Sequence, residues 1–102
     1  MDAGAAAQSA VVSHIRLLPI LDAAAAPQLR DTLLASLDRQ RPIVLDGEEV
    51  ERFSTPCAQV LVAAARMAET LDIAIRLEPA SPQLLTAMDD LGVRAALATW
   101  MS

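Results

Sequence analysis

The sequence has very few aromatic residues: one phenylalanine, one tryptophan and no tyrosine. Proteins that bind single-stranded nucleic acid stack the bases on aromatic side chains, which this chain hardly contains. Basic residues are also scarce, since 8 Lys and Arg face 13 Asp and Glu and the formal net charge is −5. Binding to a phosphate backbone requires a basic stripe, and none is present. Composition therefore argues against nucleic acid as a partner.

Cysteine and long apolar runs are scarce as well. The one cysteine, Cys57, cannot form an intrachain disulfide, and this favours an intracellular location. Residues 1–10 lack the basic start and apolar stretch of a signal peptide, and the apolar run at 60–65 ends at Arg66. We expect a flexible tail over residues 1–10 and a single cytoplasmic domain over 11–102, with no segment inserted in a membrane.

Apolar patterns along the chain predict strands that alternate with helices. Strands are predicted at 11–18, 41–46 and 72–80, and helices close to Pro27, at the turn 54–56 and at Pro82. Short connections between such elements are typical of α/β domains. We predict an α/β fold with about four strands in a mixed sheet and three to four helices packed on one of its faces.

The central helix is predicted to begin at the polar turn Ser54-Thr55-Pro56. Thr55 is a typical N-cap residue, and Pro56 suits the first helical position. The buried side of this helix is predicted to consist of small and aliphatic residues: Cys57, Val60, Leu61, Ala64, Ala65, Ala68 and Leu71. Ser81 and Pro82 repeat the same pattern at the start of the next helix, which Gly92 would end.

The order of these elements resembles the STAS domain. The resemblance covers residues 11–97 and is carried by LDAAAAPQLRDTLLASLD, PIVLD followed by VERF, QVLVAAARMAE and IAIRLEPASPQLLTAMDDLGV. The family includes anti-sigma factor antagonists, regulatory tails of sulfate transporters and a subunit of bacterial phospholipid-transport complexes. The run from Cys57 to Leu61 also resembles a STAS subgroup found with bacterial chemotaxis proteins, in which the phosphoacceptor is commonly missing. The resemblance implies a STAS-like fold and a protein-interaction module.

The resemblance further implies a phosphoacceptor in the turn before the central helix. The family's turn usually reads Asp-Ser-(Ser/Thr/Ala)-Gly-Leu, and a partner kinase, itself the anti-sigma factor, phosphorylates the Ser or Thr after the Asp. In this chain Ser54 occupies the Asp position, Thr55 the acceptor position and Cys57 the Gly position. The resemblance thus implies Thr55 as phosphoacceptor, with Ser54 as second choice.

Two interpretations of this turn remain open: a helix cap alone, or a cap that is also phosphorylated. A phosphate on Thr55 would lie in the favourable field of a helix N-terminus. It would also be repelled by the nearby acidic residues Glu48, Glu49 and Glu51, and the repulsion could expel a docked partner.

The predicted partner-binding surface combines the acidic loop with the exposed start of the central helix. It comprises Glu48, Glu49, Ser54, Thr55, Gln59, Val62, Ala63 and Arg66. The resemblance implies a partner that is an anti-sigma factor kinase or another histidine-kinase-like ATPase. The alternative is a non-phosphorylated STAS subunit of a chemotaxis assembly or of a phospholipid-transport ATPase complex.

No group of residues predicts catalysis. His14 is the only histidine, so a metal site lacks a second ligand of that type. A Ser–His–Asp triad would have to combine His14 with Ser54 or Ser81, and the sequence has no Gly-x-Ser-x-Gly motif. Its three glycines form no phosphate-binding loop. We expect no enzymatic activity, no metal and no cofactor.

Overall fold

The computed structural model describes residues 12–101, which form short strands and three helices. The strands are β1 (Ser13–Arg16), β2 (Ile20–Leu21), β3 (Ile43–Gly47), β4 (Arg52–Phe53) and β5 (Ile75–Ala80). The helices are α1 (Ala26–Asp38), α2 (Thr55–Leu71) and α3 (Pro82–Asp90), with 3₁₀ turns at Ala23–Ala25 and Ala98–Trp100. The tail predicted over residues 1–10 lies outside the described residues.

The strands between residues 12 and 101 pair in parallel and form two sheets. β3 lies between β1 and β5 in a three-stranded sheet, and β2 pairs with β4 in a two-stranded sheet. The α/β class is confirmed, but there are five strands in two parallel sheets instead of about four in one mixed sheet. Pro19 explains the division, since its carbonyl accepts hydrogen bonds from the N–H groups of Glu51 and Arg52. The chain after Pro19 therefore follows β4 and does not extend β1.

One face of the three-stranded sheet is buried in the described part of the chain. Ile43 and Leu45 of β3 point into the core and are aligned with Ile75 and Leu77 of β5. The alternate positions of the two outer strands point to the other face and are exposed: His14, Arg16, Arg76 and Glu78. This alternation is what a sheet covered on one face by helices requires.

Two helix starts agree with the sequence prediction. Asp22 lies in the turn before α1, where its carboxylate accepts a hydrogen bond from the N–H of Ala25 at 3.2 Å. Ser81 caps α3, since its hydroxyl accepts a hydrogen bond from the N–H of Leu84 at 3.0 Å. Gly92 follows α3 with a φ of 72°, a conformation that favours glycine.

The predicted buried side of α2 is confirmed in part: Val60 and Ala65 are half-buried, and the end of the helix is exposed. Cys57, Leu61, Ala64 and Ala68 are buried. Leu71 was predicted to be buried and is 43% exposed, because it lies in the last turn of the helix. The next residue, Asp72, has a left-handed conformation that ends α2.

Candidate functional site

The candidate site lies where β4 ends and α2 begins. Ser54 follows β4 and occupies the N-cap position of α2, Thr55 is the first helical residue and Pro56 the second. The pairing of β2 with β4 brings the Leu21 carbonyl oxygen close to Ser54. This oxygen accepts one hydrogen bond from the Ser54 N–H at 2.9 Å and another from the Ser54 hydroxyl at 2.8 Å. Ser54 therefore anchors the start of α2 to the end of β2.

The prediction that Thr55 caps α2 is wrong. Ser54 has the extended backbone of the cap residue, with φ −96° and ψ 165°, but its side chain makes no capping hydrogen bond. The reason is the Leu21 carbonyl, toward which the Ser54 hydroxyl is turned. This carbonyl is 33 residues away in the chain, so local sequence patterns give no sign of the contact.

The Thr55 side chain is exposed at the first turn of α2. Its hydroxyl forms no hydrogen bond with any other residue between 12 and 101. The first turn has no side-chain cap, and Pro56 has no N–H. No acidic residue lies in the first turn and no side chain between residues 12 and 101 caps it, so an anionic group attached to Thr55 would be stabilised by the positive end of the helix dipole.

Cys57 anchors the same turn on its buried side. The thiol donates a hydrogen bond to the Asp22 carbonyl oxygen at 3.3 Å, and the residue is completely buried. Burial raises the pKa of the Cys57 thiol, the Ser54 hydroxyl opposes this rise, and the charge of Asp22 adds to it. The thiol is therefore protonated at neutral pH, and it holds α2 to the turn before α1, as expected of a thiol in the core.

The four predicted partner-binding residues beyond this turn share one side of α2 with Thr55. Gln59, Val62, Ala63 and Arg66 follow Thr55 at the spacing of a helix face. Gln59, Ala63 and Arg66 are exposed, and Val62 is half-buried. We refer to Thr55, Gln59, Val62, Ala63 and Arg66 as the α2 ridge.

A groove flanks the α2 ridge on each side. The groove toward α1 has a volume of about 350 Å³ and is mostly apolar; its lining includes Arg30, Leu34 and Met67. The groove on the opposite side has a volume of about 630 Å³ and extends to β5 and to Trp100. We refer to them as the α1–α2 groove and the α2–β5 groove. The sequence predicts neither groove, because each forms between segments that are distant in the chain.

The acidic loop is attached to α3 and not to the turn at Thr55. Glu48 and Glu49 are exposed after β3, and the N–H of Glu48 donates to the Asp46 carboxylate at 3.0 Å. Ser81 holds the loop, since its hydroxyl donates to the Val50 carbonyl oxygen at 2.6 Å. Within residues 12–101, no hydrogen bond or ion pair joins Glu48 or Glu49 to Thr55. The predicted partner-binding surface therefore consists of two parts, the acidic loop and the α2 ridge, which are held in place by different hydrogen bonds.

The serine hydroxyls considered for a catalytic triad with His14 are already used in contacts of the fold. His14 and Asp46 lie on the open face of the sheet, where each is aligned with a residue of the neighbouring strand. The hydroxyls of Ser54 and Ser81 donate to backbone carbonyl oxygens. In the part of the chain that the structure describes, no three His, Cys, Asp or Glu side chains form a group that could hold a metal ion.

Fold and site together define a small parallel α/β domain with an exposed hydroxyl at the start of its central helix. A protein-family model described as "Mlab, STAS domain" matches residues 5–99. The chain belongs to this STAS domain family, which confirms the resemblance seen in the sequence. STAS domains generally mediate interactions between proteins. None of the curated proteins matches the chain. No helix between residues 12 and 101 is long and apolar enough to cross a membrane.

Proposed function

We propose that this protein is an anti-sigma factor antagonist-like module of bacterial signalling that binds a partner protein through the α2 ridge and the acidic loop. The partner is a kinase of the anti-sigma factor type or another histidine-kinase-like ATPase. The observation that carries the proposal is the exposed Thr55 hydroxyl at the first turn of α2, at one end of a surface that continues to Arg66.

The α2 ridge has the composition and rigidity that a protein interface needs. Val62 and Ala63 supply apolar contact area, and Gln59 and Arg66 supply hydrogen-bond donors beside it. The hydrogen bonds of Ser54 and Cys57 fix the start of the helix before any partner binds. A surface that is already ordered loses little conformational entropy on association.

Phosphorylation of Thr55 is the regulatory step of this proposal. The Thr55 oxygen attacks the γ-phosphorus of ATP held by the partner, ADP leaves, and the hydroxyl proton passes to a base of the partner. The product carries between about 1.5 and 2 negative charges at the Thr55 end of the α2 ridge. Ser54 is less suited as phosphoacceptor, because it is half-buried and its hydroxyl donates a hydrogen bond to the Leu21 carbonyl oxygen.

The test is a calorimetric titration of this protein with a histidine-kinase-like ATPase of the anti-sigma factor type. We expect Thr55→Glu to weaken binding at least about tenfold, because a permanent negative charge replaces the hydroxyl at the interface. Thr86→Glu is the matched control, since Thr86 is exposed on α3 outside the predicted surface. Equal affinities for the wild type and Thr55→Glu would contradict the switch.

A second candidate function is a non-phosphorylated STAS subunit of a chemotaxis assembly or of a phospholipid-transport ATPase complex. It is favoured by the two residues that replace the family's Asp and Gly. Ser54 and Cys57 both anchor α2 through hydrogen bonds, so these positions serve the fold. This alternative predicts tight association that Thr55→Ala leaves unchanged. It also predicts that incubation with the partner and ATP adds no phosphate to the protein, as intact-protein mass spectrometry would show.

A further inference from the structure

We propose that the α2–β5 groove binds an oxyanion, a phosphate or carboxylate group carried by a small molecule or by a lipid headgroup. The groove has a volume of about 630 Å³, and pockets for small molecules typically range from about 300 to 1,000 Å³. It lies on the side of α2 that faces away from α1, and its lining comes from α2, β5 and the C-terminal 3₁₀ turn. The groove shares Val62 and Arg66 with the α2 ridge and extends beyond it to β5 and Trp100.

Trp100 offers a hydrogen-bond donor in this groove. The residue is only 5% exposed, and its indole N–H has no acceptor among residues 12–101. Every fully enclosed side-chain nitrogen or oxygen in this region has a hydrogen-bond partner. The indole N–H, which has no such partner, must therefore be partly accessible to solvent. Because Trp100 lines the groove, this N–H can donate a hydrogen bond to a ligand bound there.

One charged residue of the lining is available to bind an anion. Arg66 is exposed and forms no ion pair within the described part of the chain. Arg76 makes two hydrogen bonds to Glu78, at 2.7 and 2.9 Å, and remains more than half exposed. Glu69 is the one carboxylate on the lining. Because Arg76 points to the open face of the sheet and is paired with Glu78, Arg66 is the lining guanidinium group that remains available to an anion. Guanidinium groups bind phosphate and carboxylate through charge-assisted hydrogen bonds.

The α1–α2 groove of the same molecule serves as a control for the residues that line the α2–β5 groove. Arg30 is its one charged lining residue, and most of its other side chains are aliphatic. Of the two grooves, only the α2–β5 groove combines a guanidinium group with an indole N–H. Arg30 of α1 lines one groove and Arg66 of α2 lines the other. Substituting each by glutamine therefore compares the two grooves at equal loss of charge.

The tryptophan fluorescence of the full chain tests the proposal. Trp100 is the only tryptophan and there is no tyrosine, so the signal comes from the groove itself. We expect a saturable change on titration with sodium phosphate, larger than the change with sodium chloride at equal ionic strength. A separate arm uses phosphatidylglycerol vesicles, with phosphatidylcholine vesicles as control. A response to phosphate indicates a free ligand, and a response confined to phosphatidylglycerol indicates a lipid headgroup.

Three variants connect the signal to the residues of the groove. Arg66→Gln should weaken binding about tenfold through loss of a charge-assisted hydrogen bond, and Arg30→Gln should leave it unchanged. Glu69→Gln should strengthen binding, because it removes the opposing carboxylate. Circular dichroism confirms the folding of each variant. The proposal is overturned if neither probe gives a saturable response, or if Arg66→Gln and Arg30→Gln behave alike. No partner protein is present, so this outcome is independent of the proposed docking function.

Discussion

Two adjacent hydroxyl residues, Ser54 and Thr55, have different roles at the start of α2. Ser54 is the last extended residue after β4, and its side chain is directed to the Leu21 carbonyl oxygen. Thr55 is the first helical residue, and its side chain is directed to solvent. One peptide unit thus separates a hydroxyl that stabilises the fold from a hydroxyl that is accessible to a partner.

Substituting each hydroxyl residue by alanine should separate these roles. Ser54→Ala removes a part-buried hydrogen bond and should lower the free energy of unfolding by about 1 kcal/mol. Thr55→Ala removes an exposed hydroxyl without a partner in the described residues and should change it by less than about 0.5 kcal/mol. Urea unfolding followed by circular dichroism measures both values. A larger loss for Thr55→Ala would mean that Thr55 caps the helix in solution.

At the scale of the elements, α2 and α3 begin with similar sequences and are held differently. In both cases a serine occupies the cap position and a proline lies in the first turn. Ser81 is buried; it accepts from the Leu84 N–H and donates to the Val50 carbonyl oxygen. It therefore connects α3 to the acidic loop, while Ser54 connects α2 to β2.

Ser81→Ala should destabilise the protein more than Ser54→Ala. It removes the cap of α3 and leaves two buried backbone groups without their partner, at a cost of about 2 kcal/mol. The midpoints of urea unfolding for the two variants provide the comparison. An equal or smaller loss for Ser81→Ala would show that water replaces the hydroxyl at this position.

The elements that the sequence predicts correctly depend on local patterns. The alternation around Ile75 and Leu77 is sufficient to predict β5, and Ser81 with Pro82 is sufficient to predict the start of α3. The pairing of β2 with β4, the orientation of the Ser54 hydroxyl and both grooves depend on contacts between distant segments. Patterns in a short stretch of sequence do not predict contacts of this kind. The α/β class and the location of the α2 ridge were therefore predictable, while the cap and the groove lining were not.

On the scale of the whole molecule, the open face of the sheet and the α2 ridge are two distinct surfaces. The open face carries charged side chains such as Arg76 and Glu78, which pair with each other and are exposed. Alternate side chains of the strands point to this face, and those of the two outer strands are exposed. The ridge combines apolar side chains, hydrogen-bond donors and the Thr55 hydroxyl on a helix whose start is fixed. We therefore expect the partner on the ridge.

Amide hydrogen exchange, measured by mass spectrometry with and without the ATPase partner, tests the docking surface most directly. Binding at the α2 ridge and the acidic loop predicts slower exchange between residues 48 and 66 in the complex, with exchange in β1 and β5 unchanged. Slower exchange in β1 and β5, with residues 48–66 unaffected, would place the partner on the open face of the sheet and contradict the account.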